Sequence, residues 1–492
     1  MKVLLLYPEF PDTFWSFKHA LKFVRKKSTS PPLGLLTVAA LLPGDWEKKL
    51  IDTNVTWLND LYLNWPDLVF ISAMTVQRQS AIQLIARCKA KGIPVVAGGP
   101  LFTYEHEEFP EVDHFVLNEA ELTMPPFLED LARGEAKRIY ASDRFADIRE
   151  TPAPLWELAD LKRYATVSVQ FSRGCPFQCE FCNVTALLGH RVRTKTAEQI
   201  IAELDDLYAK NWRTSIFFVD DNFIGNKSYI KKKLLPALIE WRRYKPGISF
   251  FTETSINLAD DPKLMELMSE AGFETVFIGI ETPEEESLNE CHKKQNQNRN
   301  MIEDVRRIHR SGIQVQAGFI VGFDNDTFSI FERQIDFIQN SGIVTAMVGL
   351  LQAPAGTRLY ERLVRENRLL GFMSGDNADG QTNIIPLMGL DRLREGYRCI
   401  LEHIYAPKHY YRRVKTFLQD YNPPRKIKIK LDFQHKMAFF RSMLHLGIFG
   451  RERFYYWRLI LWTITFRPRL LSYAVTLSIY GHHFQKICKM KN

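Results

Sequence analysis

Apolar residues along this chain gather in short unbroken runs that alternate with segments of helical spacing. The run at 2–7, ended by Pro8, predicts a buried strand. A helix at 31–42 and a short strand at 49–52 follow, then a second apolar run at 67–73. Residues 79–90 place Ile82, Ile85 and Ala86 on one stripe, as a helix does. Strands are predicted again at 94–97, closed by Gly98-Gly99-Pro100, and at 112–117, followed by Asn118-Glu-Ala-Glu121 and a helix. Continuous apolar strands alternating with helices predict an α/β fold, a doubly wound parallel sheet over residues 1–135. Ligands of such sheets bind beyond the C-terminal strand ends, which here are residues 7–10, 52–54, 72–77, 98–100 and 118–121. No G-x-G-x-x-G follows the first strand, so a dinucleotide site has little support.

Residues 136–165, with Pro152, Pro154 and mixed charges, read as a connector over the surface. A second alternating series then begins. Strands are predicted at 166–172, 215–219, 248–253, 274–280, 315–321 and 345–351, with helices at 196–210, 227–243, 262–271, 299–311 and 328–340 between them. Six strands at this rhythm predict a partial (β/α)6 barrel over 166–375, with its chemistry at the C-terminal strand ends. Those ends carry Asp220-Asp221-Asn222, Glu253 and Ser255, Gly279-Ile-Glu281, and Gly318-Phe-Ile320-Val-Gly322. Each alone is weak, since Asp-Asp-Asn also makes turns and helix caps.

Composition is that of an ordinary globular protein, 46% hydrophobic and 25% charged over 492 residues. Seven cysteines, three of them clustered, do not make a disulfide framework and suit a reducing cytoplasm and a metal site. The N-terminal apolar run is too short for a signal peptide, and no apolar stretch reaches the roughly 20 residues of a membrane helix. The net charge of +8 is uneven: residues 405–492 hold 18 Lys/Arg against three acids, a net of +15, which leaves −7 for residues 1–404. This helical basic region, 376–492, mixes cations with aromatics at Tyr410–Arg413, Arg425–Lys430 and Arg451–Arg458. It reads as a solvated face with a helical lid on the barrel, or as a surface for peripheral contact with the inner face of a membrane. Nothing in it resembles a nucleic-acid module.

The most specific chemistry lies in Phe171-Ser-Arg-Gly-Cys175-Pro-Phe-Gln-Cys179-Glu-Phe-Cys182, a C-x3-C-x2-C array on a loop after the first barrel strand. Three thiols within eight residues on a Gly/Pro-marked loop exceed what packing asks of cysteine. Zinc takes four ligands, often in paired motifs; only His190 follows closely and no second cysteine pair exists. An electron-transfer cluster takes a fourth cysteine, and Cys88, Cys291, Cys399 and Cys488 are scattered. A [4Fe–4S] cluster on three thiolates keeps one iron open for a small ligand's amine and carboxylate. Arg173 reads either as a surface residue or as a charge near the cluster. Cys291 and His292 lie in a polar stretch and read as an ordinary loop, with a catalytic second cysteine as the alternative.

The array resembles the radical S-adenosylmethionine (SAM) signature. A doubly wound domain before it resembles the cobalamin-binding domain of the cobalamin-dependent radical SAM family. With Phe218-Val-Asp-Asp-Asn-Phe-Ile-Gly225 and Leu350-Leu-Gln-Ala-Pro-Ala-Gly-Thr-Arg-Leu-Tyr-Glu-Arg-Leu363, residues 1–375 resemble the subfamily that includes the hopanoid C-2 methylase. The resemblance implies a [4Fe–4S] cluster on Cys175, Cys179 and Cys182. It implies SAM contacts at Asp220, Asp221 and Asn222 (amino group), Glu253 and Ser255 (ribose or carboxylate), Gly279 and Glu281 (close backbone approach), and Gly318, Ile320 and Gly322 (adenine). It implies cobalamin contacts at Ser72, Thr75, Gln77, Gly98, Gly99, Pro100, Asn118 and Glu119. The D-x-H-x-x-G motif that supplies a lower axial histidine elsewhere is absent, and His19, His106 and His114 have no such context.

The implied activity is methylation of an unactivated carbon of a small substrate, with SAM cleaved to a 5′-deoxyadenosyl radical and methylcobalamin delivering the methyl group. The basic, aromatic C-terminal region suits a lipid or isoprenoid substrate. The resemblance implies a reductant such as flavodoxin or ferredoxin, and the cysteine usage implies a cytoplasmic location. The rivals are a cobalamin-dependent cyclase or rearrangement enzyme and, from another class, a non-catalytic iron–sulfur or zinc protein. Methylthiotransferase chemistry lacks the cysteines for a second cluster.

Overall fold

The computed structural model describes residues 1–423 and 433–491; the basic run Arg425–Lys430 lies outside them. The first sheet has strands β1 (Lys2–Tyr7), β2 (Glu47–Asp52), β3 (Leu68–Ser72), β4 (Val95–Gly98), β5 (His114–Val116) and β6 (Ile139–Tyr140). They lie in the order β2-β1-β3-β4-β5-β6, every pair parallel. Helices cover both faces, which is why Val3–Leu6 of β1 and Leu68–Ile71 of β3 are unbroken apolar runs: Leu4 and Leu6 face one core, Val3 and Leu5 the other.

The sixth strand is a correction, because it comes from the stretch read as a surface connector. Tyr140 packs under Phe127 and donates through its hydroxyl to Asp130 at 2.8 Å. Further on, Trp156 and Tyr164 are fully buried, and the Tyr164 hydroxyl donates to Asp52 at 2.9 Å. The mixed charges of 136–165 hid these aromatic anchors.

The second sheet begins with β7 (Val167–Val169). A short antiparallel pair follows, β8 (Ser172–Arg173) with β9 (Arg193–Thr194), then β10 (Ile216–Phe218), β11 (Phe250–Thr254), β12 (Phe273–Glu281), β13 (Gln314–Val321) and β14 (Ala346–Leu350). The six parallel strands run in the order β14-β13-β12-β11-β10-β7, an open barrel with β14 and β7 at its edges. The single strand expected over 166–172 is thus two: the chain leaves the sheet after Val169, and Ser172–Arg173 pairs with the far side of the cysteine loop. The helix expected over 227–243 contains a π-helical stretch, Ile230–Leu234. Pro236 follows, whose missing N–H cannot continue the ordinary ladder.

The C-terminal region is helical: Leu390–Tyr405, Pro407–Asp420, Phe433–Ser442 running into Met443–Ile448, Arg453–Phe466 and Leu471–Lys491. It shares one core with the barrel and with Phe14, Ala20 and Phe23 of the first domain. The ring of Phe14 stacks on Phe484 at 4.2 Å. Tyr410–Arg413, read as part of a basic surface, is mostly interior. Tyr410 is fully buried, and buried Arg413 donates to Gln339 at 2.6 Å and to the Ile404 carbonyl at 2.9 Å. Arg451–Arg458 keeps its cations outside. No helix among the described residues is long and apolar enough to cross a membrane.

Candidate functional site

The C-terminal strand ends of the two sheets face each other. Tyr104, beyond β4, lies where a Cβ on Gly356 would stand (2.6 Å), and the backbone of Thr75 and Val76, beyond β3, does the same for Gly375 (2.6 Å to Val76). The Arg78 guanidinium lies 5.0 Å from the Phe372 ring centre. The cysteine loop stands at this junction.

Backbone geometry makes that loop. Gly174 has φ +90°, and a Cβ there would meet the Gly189 and Arg191 carbonyls at 2.9 and 2.8 Å, so only glycine lets the loop close on its return strand. Cys175 N–H donates to the Gly189 carbonyl (3.2 Å), and Cys182 N–H to the Cys179 carbonyl (3.2 Å). All three cysteines are half-buried. Burial pushes the Cys175 thiol up and the Cys182 thiol to about 12. They ionise readily only beside a metal. Among the described residues, no group of three or more His, Cys, Asp or Glu side chains is placed to hold a single metal ion, and His190 is exposed. Three thiolates on one loop fit a cluster, whose irons take one thiolate each.

Asp220 is not a free ligand. It is fully buried, and its carboxylate accepts from Phe171 N–H (3.3 Å), Ser172 N–H and the Ser172 hydroxyl, fixing the chain as it enters the cysteine loop. Asn222 likewise accepts from Ser255 N–H (3.3 Å) and the Ser255 hydroxyl (3.4 Å), tying two strand ends together. Asp221 differs: its Oδ2 is buried with no hydrogen-bond partner. Burial, above all, raises Asp221 to about 6 and Glu253 to about 8, the latter pushed further by Asp221 and Asp220. These converging acids with an orphaned oxygen fit the cationic end of SAM.

Register sorts the remaining positions. Glu253 pairs with Phe277, Gly279 with Gly318, and Ile320 with Gly349, so they share the face of the sheet opposite the helices. The alternate residues Val276, Ile278 and Ala317 are sealed beneath the helices. Gly279 is open for the protein rather than for a ligand. A Cβ there would meet the Lys293 ammonium at 2.8 Å and the Glu281 carboxylate, which form a buried ion pair of 2.6 Å. Gly318 abuts the Phe277 ring, and Gly322 abuts Leu393 of the C-terminal region. Below this polar tier the same face is aromatic. Phe217 and Phe251 stack at 4.6 Å, Phe277 meets Trp15 edge-on at 5.4 Å, and the Trp15 indole N–H donates to the Met347 sulfur at 2.9 Å. Trp15 enters from the first domain.

On the cobalamin side, Ser72, Thr75, Gly99, Pro100 and Asn118 lie at the strand ends facing the barrel, half-buried or exposed. Gly98 stands against the Val116 carbonyl, 2.6 Å from where its Cβ would be. Gln77 is a correction: it is buried, donating to the Pro8 carbonyl and accepting from Met74 N–H at 2.8 Å. Glu119 is another. Its carboxylate is buried against Arg173 (2.9 Å) and Arg193 (2.8 Å) and accepts from Ala146 N–H (2.7 Å). Arg173 also pairs with Glu121 at 2.8 Å. Arg173 is therefore not a surface residue: it is a paired charge two positions before Cys175 that bolts the first domain to the cysteine loop. His19 lies beside His483, His106 against Phe115, and His114 on the Lys137 carbonyl, none of them at a cobalamin-side strand end.

Sequence reasoning placed Glu121 at a strand end without its partner Arg173 and missed Arg193, Lys293 and Gln295. The Gln295 amide lies 3.7 Å from the Cys179 sulfur, and Lys293 is close enough to Cys175 and Cys182 to favour their thiolates. Both belong to the polar stretch dismissed as loop. Their signal was only their place beside Cys291, which is a buried packing thiol next to Phe323 and Leu351.

Comparison with known proteins agrees with this layout. Residues 24–128 match the B12 binding domain, 169–338 the Radical SAM superfamily, and 357–491 a domain of unknown function (DUF4070). An uncharacterized methyltransferase of Synechocystis sp. is 39% identical over 489 residues, 98% of this chain and 91% of its own. The hopanoid C-2 methylase of Rhodopseudomonas palustris is 33% identical, over 94% of this chain and 89% of its own. Among solved structures, the cobalamin-dependent S-adenosylmethionine radical enzyme OxsB, with aqua-cobalamin and S-adenosylmethionine bound, superposes with a TM-score of 0.63. At 16% identity, covering 100% of this chain and 79% of that one, it shares the fold.

Proposed function

This chain belongs to the cobalamin-dependent radical SAM methyltransferases, and on that premise we propose that it methylates an unactivated carbon of a small apolar, lipid-like substrate. When bound, the cluster and SAM supply the radical that opens the C–H bond, and methylcobalamin supplies the methyl group. The protein's part is position and exclusion of water. Cys175, Cys179 and Cys182 would hold the cluster. Asp221 and Glu253 would take the positive charge of SAM. Lys293, braced by Glu281, holds a cation beside the thiolates. Ser72, Thr75, Gly98, Gly99, Pro100 and Asn118 would line the cobalamin side, and the Arg173 pairs hold the first domain to the cysteine loop.

The aromatic floor of the barrel carries the substrate class. A polar substrate would leave its hydrogen-bonding groups unpaired against Phe217, Phe251, Phe277, Met347 and Trp15. The hopanoid methylase among the relatives supports the same class. A flavodoxin- or ferredoxin-type electron donor, and contact with the inner face of a membrane where such substrates reside, complete the reading.

The test is anaerobic. The protein is reconstituted with iron, sulfide and cobalamin and incubated with SAM, strong reductant and a total lipid extract. The expected result is formation of 5′-deoxyadenosine and S-adenosylhomocysteine together with a lipid heavier by one methyl group. Methylation confined to the water-soluble fraction would refute the substrate class.

A further inference from the structure

The Arg453–Phe466 helix is apolar on two opposite sides. Its inner stripe, Tyr456, Leu459, Ile460 and Thr463, is buried against the Pro407–Asp420 and Leu471–Lys491 helices. These positions recur at i, i+3, i+4 and i+7, the spacing of one helical face. The opposite face is set by Phe454 and Leu461, a further i, i+7 pair, with Ile464 beside them, while Trp457 is half-buried against the core. Solvent reaches Phe454 and Leu461 at 74% and 60% of their surface. The Trp457 indole donates to the Gly447 carbonyl at 2.9 Å, which brings Ile448 and Phe449, the latter 79% exposed, to the same side. A single exposed Leu or Phe is ordinary, but a contiguous apolar patch on a helix already filled on its inner side needs an occupant.

Charge says which occupant. Residues 446–470 contain five arginines and one acid, Glu452. Glu452 is buried beside His482. Arg451, Arg453 and Arg458 are exposed around the apolar patch. A second copy meeting this face across a twofold axis would bring like charges together. A surface that is apolar within and anionic at its edge satisfies both features. We propose that this face, Ile448 to Ile464, docks the protein onto an anionic lipid bilayer. Phe449, Phe454 and Leu461 enter the acyl boundary, and the three arginines lie at the phosphates. The contact is lateral, since no described helix is long and apolar enough to span.

Flotation of the full chain with vesicles tests this without any turnover, so it can fail independently of the substrate assignment. The probes are phosphatidylcholine vesicles and phosphatidylcholine vesicles with about a third phosphatidylglycerol. Wild type is expected to float with the anionic vesicles, and less so as salt rises. Arg451→Gln/Arg453→Gln/Arg458→Gln is expected to weaken partition about a hundredfold at low salt. Phe449→Ser/Phe454→Ser/Leu461→Ser is expected to abolish flotation with circular dichroism and melting unchanged, since these side chains touch solvent. Wild type that stays unbound, or serine variants that float like wild type, would overturn the proposal. So would a stable dimer that the serine variant splits, which would assign the face to a second copy.

Discussion

Replacing Arg173 with alanine removes the centre of a buried charge group. Arg173 bonds Glu119 at 2.9 Å, Glu121 at 2.8 and 3.1 Å, and Gln170 at 2.8 Å. Glu119 would keep Arg193, but Glu121 would keep only neutral donors, the Thr151 hydroxyl at 2.6 Å and its own backbone N–H. Leaving such a carboxylate buried without its cation costs about 3–5 kcal/mol. Pairing Arg173→Ala with Glu121→Gln isolates the contact, and the double variant is expected to lose about 2 kcal/mol less than the two single losses added. Urea denaturation followed by tryptophan fluorescence measures each. Burial raises Glu121, but the Arg173 bond and charge and the Thr151 hydroxyl bring it net below the usual glutamate range. The stabilisation is therefore complete above the ordinary glutamate pKa and disappears as pH falls through the lowered value. A coupling below about 0.5 kcal/mol at neutral pH would refute the bolt between domain and loop.

Two further outcomes follow from the same geometry. Glu253 and Asp221 are raised to about 8 and about 6 by burial, Glu253 further by the charges of Asp221 and Asp220, so they hold protons that the unfolded chain has released. Without ligand, stability falls as pH rises from the ordinary carboxylate range to about 8, whereas SAM affinity, measured by equilibrium dialysis, rises by up to about tenfold per pH unit from pH 6 to 8. Glu253→Gln is expected to flatten the upper part of that rise, and a flat wild-type profile would refute the role of these acids. Asp220→Ala leaves buried Phe171 and Ser172 N–H groups without an acceptor. It is expected to cost at least about 2 kcal/mol and to lower iron retained after reconstitution; an unchanged melting midpoint with full iron would contradict its role at the cysteine loop.

The sequence by itself determined the second parallel sheet, five of the six strands of the first, the cysteine loop and the orientation of the chemistry toward the C-terminal strand ends. These signals are local: an apolar run, a glycine stop, a C-x3-C-x2-C spacing. Tertiary structure decided which polar residues at those ends remain free. Asp220 and Asp221 are neighbours in sequence, yet one is consumed by the backbone of Phe171 and Ser172 and the other keeps a bare oxygen. Strand-end residues no longer obey a two-residue period, so sequence could not separate them. Glu119 meets Arg173 across 54 residues of chain and Trp15 meets Met347 across 332, separations over which no composition or period carries information. The same holds for the two aromatic cationic runs. Tyr410–Arg413 and Arg451–Arg458 read alike, and only the packing of the C-terminal helices buries Arg413 of the one and leaves the arginines of the other facing out.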